Sequence, residues 1–210
     1  MNDTIAKLHN ADFKSIGLSD YGKYENYMAR QIARWSKQYK DSETTLIPEM
    51  DNLIEWLPQN IPPGEETSIV HGDFRLDNMV FDKNSNEVIA ILDWELSTLG
   101  HPIADFTYHM MTWRMPLGVQ GIGILGANLD ELNIPNENEY ADAYYQKTNR
   151  NEIHNWDFFL AYNMFRLAGI TQGIAGRVRD GTASSDQAKQ YGAFVPILSQ
   201  MAWKIVENIK

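Results

Sequence analysis

Asp73, Asn78 and Asp93 are the side chains whose types and spacing could do chemistry together. Asp73 stands in His71-Gly72-Asp73-Phe74-Arg75-Leu76-Asp77-Asn78, directly after the apolar Ser68-Ile69-Val70, and Asp93 closes the apolar run Val88-Ile89-Ala90-Ile91-Leu92. A carboxylate held in a loop can accept the proton of a hydroxyl. An amide oxygen five residues on, with a second carboxylate at the end of the next strand, offers hard oxygen donors to Mg²⁺, which keeps several waters and takes nucleotide phosphates as further ligands. Together the three suit transfer of a phosphoryl group from a nucleotide to an alcohol. Each has a plainer alternative: Asp73 as an acid capping its own loop, His71 as a buried hydrogen-bonding residue. Arg75 could neutralise charge on a transferring phosphoryl group, or pair with Asp77. Glu95 falls on the same side of a continuing strand as Asp93 and could hold a second metal or a metal-bound water, or form a salt bridge. Gly72 permits a backbone bend that a side chain would hinder.

These residues need elements to position them. The pattern predicts a short helix at 3–10 and a longer one over 23–39 with Tyr24, Tyr27, Met28, Ile32, Trp35 and Tyr39 on one face. Met50, Leu53, Ile54 and Leu57 mark a third, stopped by Pro58. Residues 68–70 read as a strand feeding the Asp73 loop, and 79–81 with 88–92 as a hairpin around Asp82-Lys83-Asn84-Ser85-Asn86. Helices follow at roughly 104–113, 137–148, 155–179 and 186–208, the last with Tyr191, Phe194, Val195, Leu198, Met201 and Ile205 on one stripe. The fold class is α+β and mainly helical, with a short hairpin carrying the polar motifs. Asp105 begins a helix after Gly100-His101-Pro102; it is either an acid favoured by the helix dipole or an internal brace for the Asp73 loop.

Other polar groups carry less. His101 and His109 fit no common zinc spacing and read as structural. Gly121-Ile122-Gly123-Ile124-Leu125-Gly126 matches a dinucleotide-binding glycine pattern but lacks a preceding strand, and reads as a substrate-side loop. Gly169, Gly173 and Gly176 share a helix side, as a close helix–helix contact requires. Arg166, Arg177 and Arg179 are either solvated or a lure for an anionic substrate. A net charge of −10 argues against nucleic acid or an anionic membrane surface as partner. The chain has no cysteine, which excludes thiolate chemistry and fits a cytoplasmic setting. No apolar run is long enough to span a bilayer, and the N-terminus lacks the order of a secretory signal.

The stretch from Val70 to Tyr108 resembles the aminoglycoside-phosphotransferase-like kinase family, in the branch related to the kinase-like domain of acyl-CoA dehydrogenase fusion proteins. The matching residues are 71–78, Ile91 to Gly100 and Pro102-Ile103-Ala104-Asp105, with a looser match from Phe165-Arg166-Leu167-Ala168-Gly169 to Ser184-Ser185. The resemblance implies a protein-kinase-like fold of two lobes with ATP (GTP in some members) and Mg²⁺ between them. It implies Asp73 as catalytic base, Arg75 at a phosphate-contacting position, and Asn78 and Asp93 as ligands of the metal and its nucleotide. Glu95 joins these as a candidate ligand, and His71 with Asp105 as a brace. The seventy residues before His71 hold no phosphate-binding glycine loop and no strand lysine. Residues 1–210 are therefore expected to form the large lobe alone, inactive by itself and able to self-associate through its exposed inter-lobe face. The acceptor is expected to be a small-molecule hydroxyl, on a hydroxyacyl thioester or an aminoglycoside-like compound. A metal-dependent hydrolase using Asp73, Asp93 and Glu95, and a non-catalytic binding fragment, are the competing classes.

Overall fold

The computed structural model describes residues 1–150, 155–183 and 186–209. Helix α1 (Asn2–His9) leads to α2 (Tyr27–Ser42) and α3 (Pro48–Gln59). The buried positions of α2 are Met28, Ile32, Trp35 and Tyr39, the predicted face. Tyr24 lies outside the helix, because Asn26 takes a left-handed conformation just ahead of it. Pro58 does not stop α3; it sits inside the last turn, one residue before the helix ends at Gln59, and leaves the Ile54 carbonyl without its helical N–H donor.

Strand β1 (Ser68–Val70) runs into the Asp73 loop. The hairpin β2 (Met79–Phe81) and β3 (Val88–Ile91) forms as expected, its turn pinned by Asp82, whose carboxylate accepts from the N–H of Asn84 and Ser85. A fourth strand, β4 (Thr98–Gly100), pairs antiparallel with β1 with Ser68 opposite Gly100. It escaped the sequence reading because three residues carry no periodicity and the partner is distant along the chain.

Helices α4 (Pro102–Met110), α5 (Glu137–Lys147) and α6 (Trp156–Arg179) follow. From Phe158 to Gly169 helix α6 is buried on all sides, as befits the central helix of a core. Its glycines face α2: a Cβ on Gly176 would lie 2.9 Å from the Cβ of Ser42, and one on Gly169 3.6 Å from the Trp35 carbonyl. The single helix expected at 186–208 is two, α7 (Asp186–Gly192) and α8 (Phe194–Glu207). Pro196 explains the break, since its ring cannot sit under the carbonyl of residue 192 in a continuous helix. The buried stripe of α8 is Val195, Leu198, Ser199, Ala202 and Val206.

Candidate active site

Phe74, fully buried, anchors the loop that β1 enters, and β4 brings the first turn of α4 beneath it. There Asp105, 3% exposed, accepts from the backbone N–H of His71 (2.7 Å) and of Gly72 (2.8 Å) through its two oxygens. The Nε2 of His9 lies 3.2 Å from the same carboxylate and donates to it, and the Nδ1 of the same ring lies 2.6 Å from the Tyr144 hydroxyl. Burial opposes a charged Asp105, but the His9 hydrogen bond and charge and the two backbone donors outweigh it and hold the carboxyl below its usual range. Sequence reasoning named Asp105 as a candidate brace and missed His9 and Tyr144. The partners lie 96 and 135 residues apart along the chain, and no local pattern joins them.

Gly72 has φ +84°, and a Cβ there would lie 2.7 Å from the carbonyl oxygen of Leu96. Gly72→Ala is therefore expected to cost about 1–3 kcal/mol, read as a lower urea midpoint with an unchanged denaturant slope. A midpoint equal to that of the parent would show that the loop can relax.

Buried His71 accepts from the Asp73 N–H through Nδ1 (3.2 Å) and donates through Nε2 to the Leu92 carbonyl (2.9 Å). One imidazole thus ties the Asp73 loop to the segment that ends in Asp93. Asn78 closes a single 3₁₀ turn, Leu76–Asn78, and its Nδ2 donates both to the Asp73 carbonyl (2.9 Å) and to the Asp73 carboxylate (3.0 Å). Its Oδ1 has no partner among the described residues. The Leu92 N–H donates to the Asn78 carbonyl at 2.8 Å, one step beyond the Met79–Ile91 pair, so Asn78 and Asp93 sit at the same end of the hairpin. Asp93 is held at φ 63°, ψ 54°, a left-handed conformation that costs a non-glycine residue about 1 kcal/mol or more. Its exposed carboxylate makes no hydrogen bond or ion pair among the described residues. One free amide oxygen and one free carboxylate fit a Mg²⁺ that takes its remaining ligands from water and phosphate.

Arg75 is exposed and paired with Asp77, its Nε 2.9 Å from the carboxylate. Glu95 loses the argument made for it. β3 ends at Ile91, and Asp93 caps a 3₁₀ turn, Trp94–Leu96, in which residues two apart do not share a face. No three His, Asp or Glu among the described residues are grouped to hold a metal, so the three-carboxylate site of a hydrolase is not formed there.

His101 caps α4, its Nδ1 accepting from the Ile103 N–H, and His109 meets the Tyr140 hydroxyl at 3.0 Å. Burial is the main cause that lowers both to about 4, so both stay neutral structural groups. The glycine pattern at 121–126 lies in a loop that starts no helix. A Cβ on Gly123 would lie 2.1 Å from the Pro116 carbonyl, a packing reason for that glycine. Of the three arginines, Arg177 is exposed, and Arg179 pairs with Asp180 and donates to the Glu43 carbonyl. Arg166 is neither solvated nor open to a substrate: it is 7% exposed and donates to the Gly72 carbonyl. Ser184-Ser185, the end of the looser match, lie outside the described residues.

A family model described as "Phosphotransferase enzyme family" matches residues 1–145, which contain the whole Asp73–Asn78–Asp93 arrangement. The chain belongs to the phosphotransferase enzyme family. Among curated relatives of this family member, mouse acyl-CoA dehydrogenase family member 10 is 40% identical over 97% of the chain. Human acyl-CoA dehydrogenase family member 11 is 38% identical over 94%. The chain spans only 19% and 26% of those proteins. A crystal structure from Ralstonia eutropha JMP134, assigned provisionally as an aminoglycoside phosphotransferase, superposes with a TM-score of 0.96 at 51% identity, covering all of this chain and 64% of that one. This member of the family thus has the protein-kinase-like fold, in the branch whose relatives carry the acyl-CoA dehydrogenase name. Among the described residues no helix is long and apolar enough to cross a membrane.

Proposed function

We propose that the chain is the large lobe of a small-molecule kinase that moves the γ-phosphoryl group of ATP or GTP to a substrate hydroxyl. The observation that carries this is the Asn78 amide: its nitrogen clamps Asp73, while its oxygen and the Asp93 carboxylate, at one end of the hairpin, have no partner among the described residues. Asp73 accepts the hydroxyl proton, and the Asn78 clamp aims its carboxylate. Asn78 and Asp93 hold Mg²⁺, which when bound offsets the charge of the nucleotide phosphates. Arg75 swings from Asp77 to the transferring group; Glu95 contributes at most through a metal-bound water. Asp105 and His71 keep the loop rigid. The acceptor class is a hydroxyacyl thioester. That choice is supported by the names of the relatives; buried Arg166 and paired Arg179 add nothing to it.

Label transfer from [γ-³²P]ATP and from [γ-³²P]GTP to hydroxyacyl-CoA thioesters, with aminoglycosides as the competing panel, tests the reading in a preparation that includes a small lobe. Transfer to a hydroxyl supports it. Metal-dependent hydrolysis that needs no nucleotide overturns it. For the 210-residue chain by itself, calorimetry is expected to give a Kd for ATP–Mg²⁺ above about 1 mM, a binding free energy weaker than about −4 kcal/mol. Micromolar binding would show that no second lobe is required. Leu76, Phe81, Ile89, Leu92, Trp94 and Leu96, exposed around the site and the hairpin, form the apolar face against which such a lobe would pack, or through which the chain would self-associate.

A further inference from the structure

Gly72 is held from two sides by buried charge. Its N–H donates to Asp105 Oδ1 on α4 (2.8 Å), and its carbonyl accepts from a terminal nitrogen of Arg166 on α6. Arg166 is buried, forms no ion pair among the described residues, and its Nε has no hydrogen-bond partner there. The guanidinium lies over two rings, 4.7 Å from the centre of Tyr108 and 5.3 Å from that of Trp35. Burial works against its charge; the groups that favour it are Tyr162, Tyr108, Tyr27 and Asp105, the one acid among them. A buried cation without a touching counter-ion is costly, and apolar side chains often fill such a place as well or better. What the guanidinium adds is the bond to Gly72. Asn163, three residues earlier on the same side of α6, sets the gap between the two charges. It is fully buried, and its Nδ2 donates to the Ala104 carbonyl (2.9 Å) and to Thr107 Oγ1 (2.8 Å), on either side of Asp105 along α4.

We infer that Arg166 is a positioning residue for Asp73, acting with Asp105 as a buried ion pair split by the Gly72 backbone, the carboxylate on its N–H and the guanidinium on its carbonyl. The inference rests on the reading of Asp73 as proton acceptor. The peptide that joins Gly72 to Asp73 is fixed at its oxygen by Arg166 and at its N–H by His71 Nδ1 (3.2 Å). Fixing that plane fixes the direction in which the Asp73 side chain leaves the backbone. Asn78 then restrains the carboxylate at the far end of the side chain. Arg166 touches neither substrate nor metal. Its effect is on how often the base is aimed, which appears in kcat rather than in nucleotide KM.

Two measurements test this. On the 210-residue chain, hydrogen exchange of the Gly72 amide is compared with that of Leu53, a core amide in the middle of α3. Arg166→Met is expected to lower the protection of Gly72 about tenfold more than that of Leu53, because the loop opens locally. Equal losses at the two amides mark a merely structural arginine and overturn the inference. If Arg166→Met does not fold, Arg166→Lys decides: its single nitrogen replaces the planar donor imperfectly, so Gly72 should lose about threefold or more relative to Leu53, and an unchanged ratio overturns the inference. In a preparation with measured turnover, Arg166→Met is expected to lower kcat about 10–100-fold with nucleotide KM within about twofold, and Arg166→Lys to recover part of the loss. A normal kcat in Arg166→Met when Asp73→Asn is inactive overturns the inference and leaves the kinase reading standing. Near-normal turnover in Asp73→Asn overturns that reading, and the inference with it.

Discussion

Asp73→Asn is expected to lower turnover by about 10²–10⁴-fold while leaving nucleotide–Mg²⁺ affinity within a few fold. The substitution keeps the shape of the side chain, and its remaining oxygen can still accept from Asn78 Nδ2, which now lies 3.0 Å from the carboxylate. What disappears is the proton acceptor and the negative charge that orients the hydroxyl. Asp93→Asn differs in kind. On the proposed reading its carboxylate, which has no partner among the described residues, holds Mg²⁺, and the loss should appear as impaired Mg²⁺-dependent nucleotide binding as well as lower turnover. Turnover and nucleotide affinity of both variants, in an active preparation, separate the two roles. Near-normal turnover in Asp73→Asn would remove Asp73 from the reaction and advance the binding-fragment reading.

The second large effect is structural. Asp105→Ala removes the acceptor of two buried backbone N–H groups and the partner of buried His9. Leaving such donors unsatisfied is expected to cost about 3–5 kcal/mol, read as a lower urea midpoint, with the Asp73 loop loosened in consequence. The pH dependence has a definite sign. The folded state holds the Asp105 carboxyl below its ordinary value of 3.8, so the unfolded chain binds more protons as the solution is acidified. The stabilisation is therefore fully present above the unfolded value and is lost as pH falls through the lower folded one. The stability difference between the parent and Asp105→Asn should be flat near neutrality and shrink below about pH 4. A loss under about 1 kcal/mol in Asp105→Ala would show that water or a neighbour satisfies the His71 and Gly72 amides.

What could be read from the chain alone was whatever local pattern encodes. The β2–β3 hairpin was legible because both strands and the Asp82 turn lie within thirteen residues. Most of the helices were legible because a 3.6-residue repeat shows within one turn or two. The break at residue 193 was legible in principle, since Pro196 forbids the continuous helix, but the apolar stripe across it outweighed that signal. Asp73, Asn78 and Asp93 were singled out as candidates by type and spacing along a single loop and hairpin.

Other features needed the folded chain, because they join residues far apart in sequence. Nothing near Thr98 announces that it will pair with Val70. Nothing near His9 announces Asp105, and Arg166 had the look of a surface arginine until α6 brought it under Gly72. Glu95 was misread for the complementary reason: its placement assumed that β3 continues past Ile91, whereas the left-handed turn at Asp93 ends the strand and rotates everything after it. The sequence by itself thus determined which groups could do the chemistry. The tertiary structure decided which groups hold them still, since burying a polar brace requires partners that only long-range packing can supply.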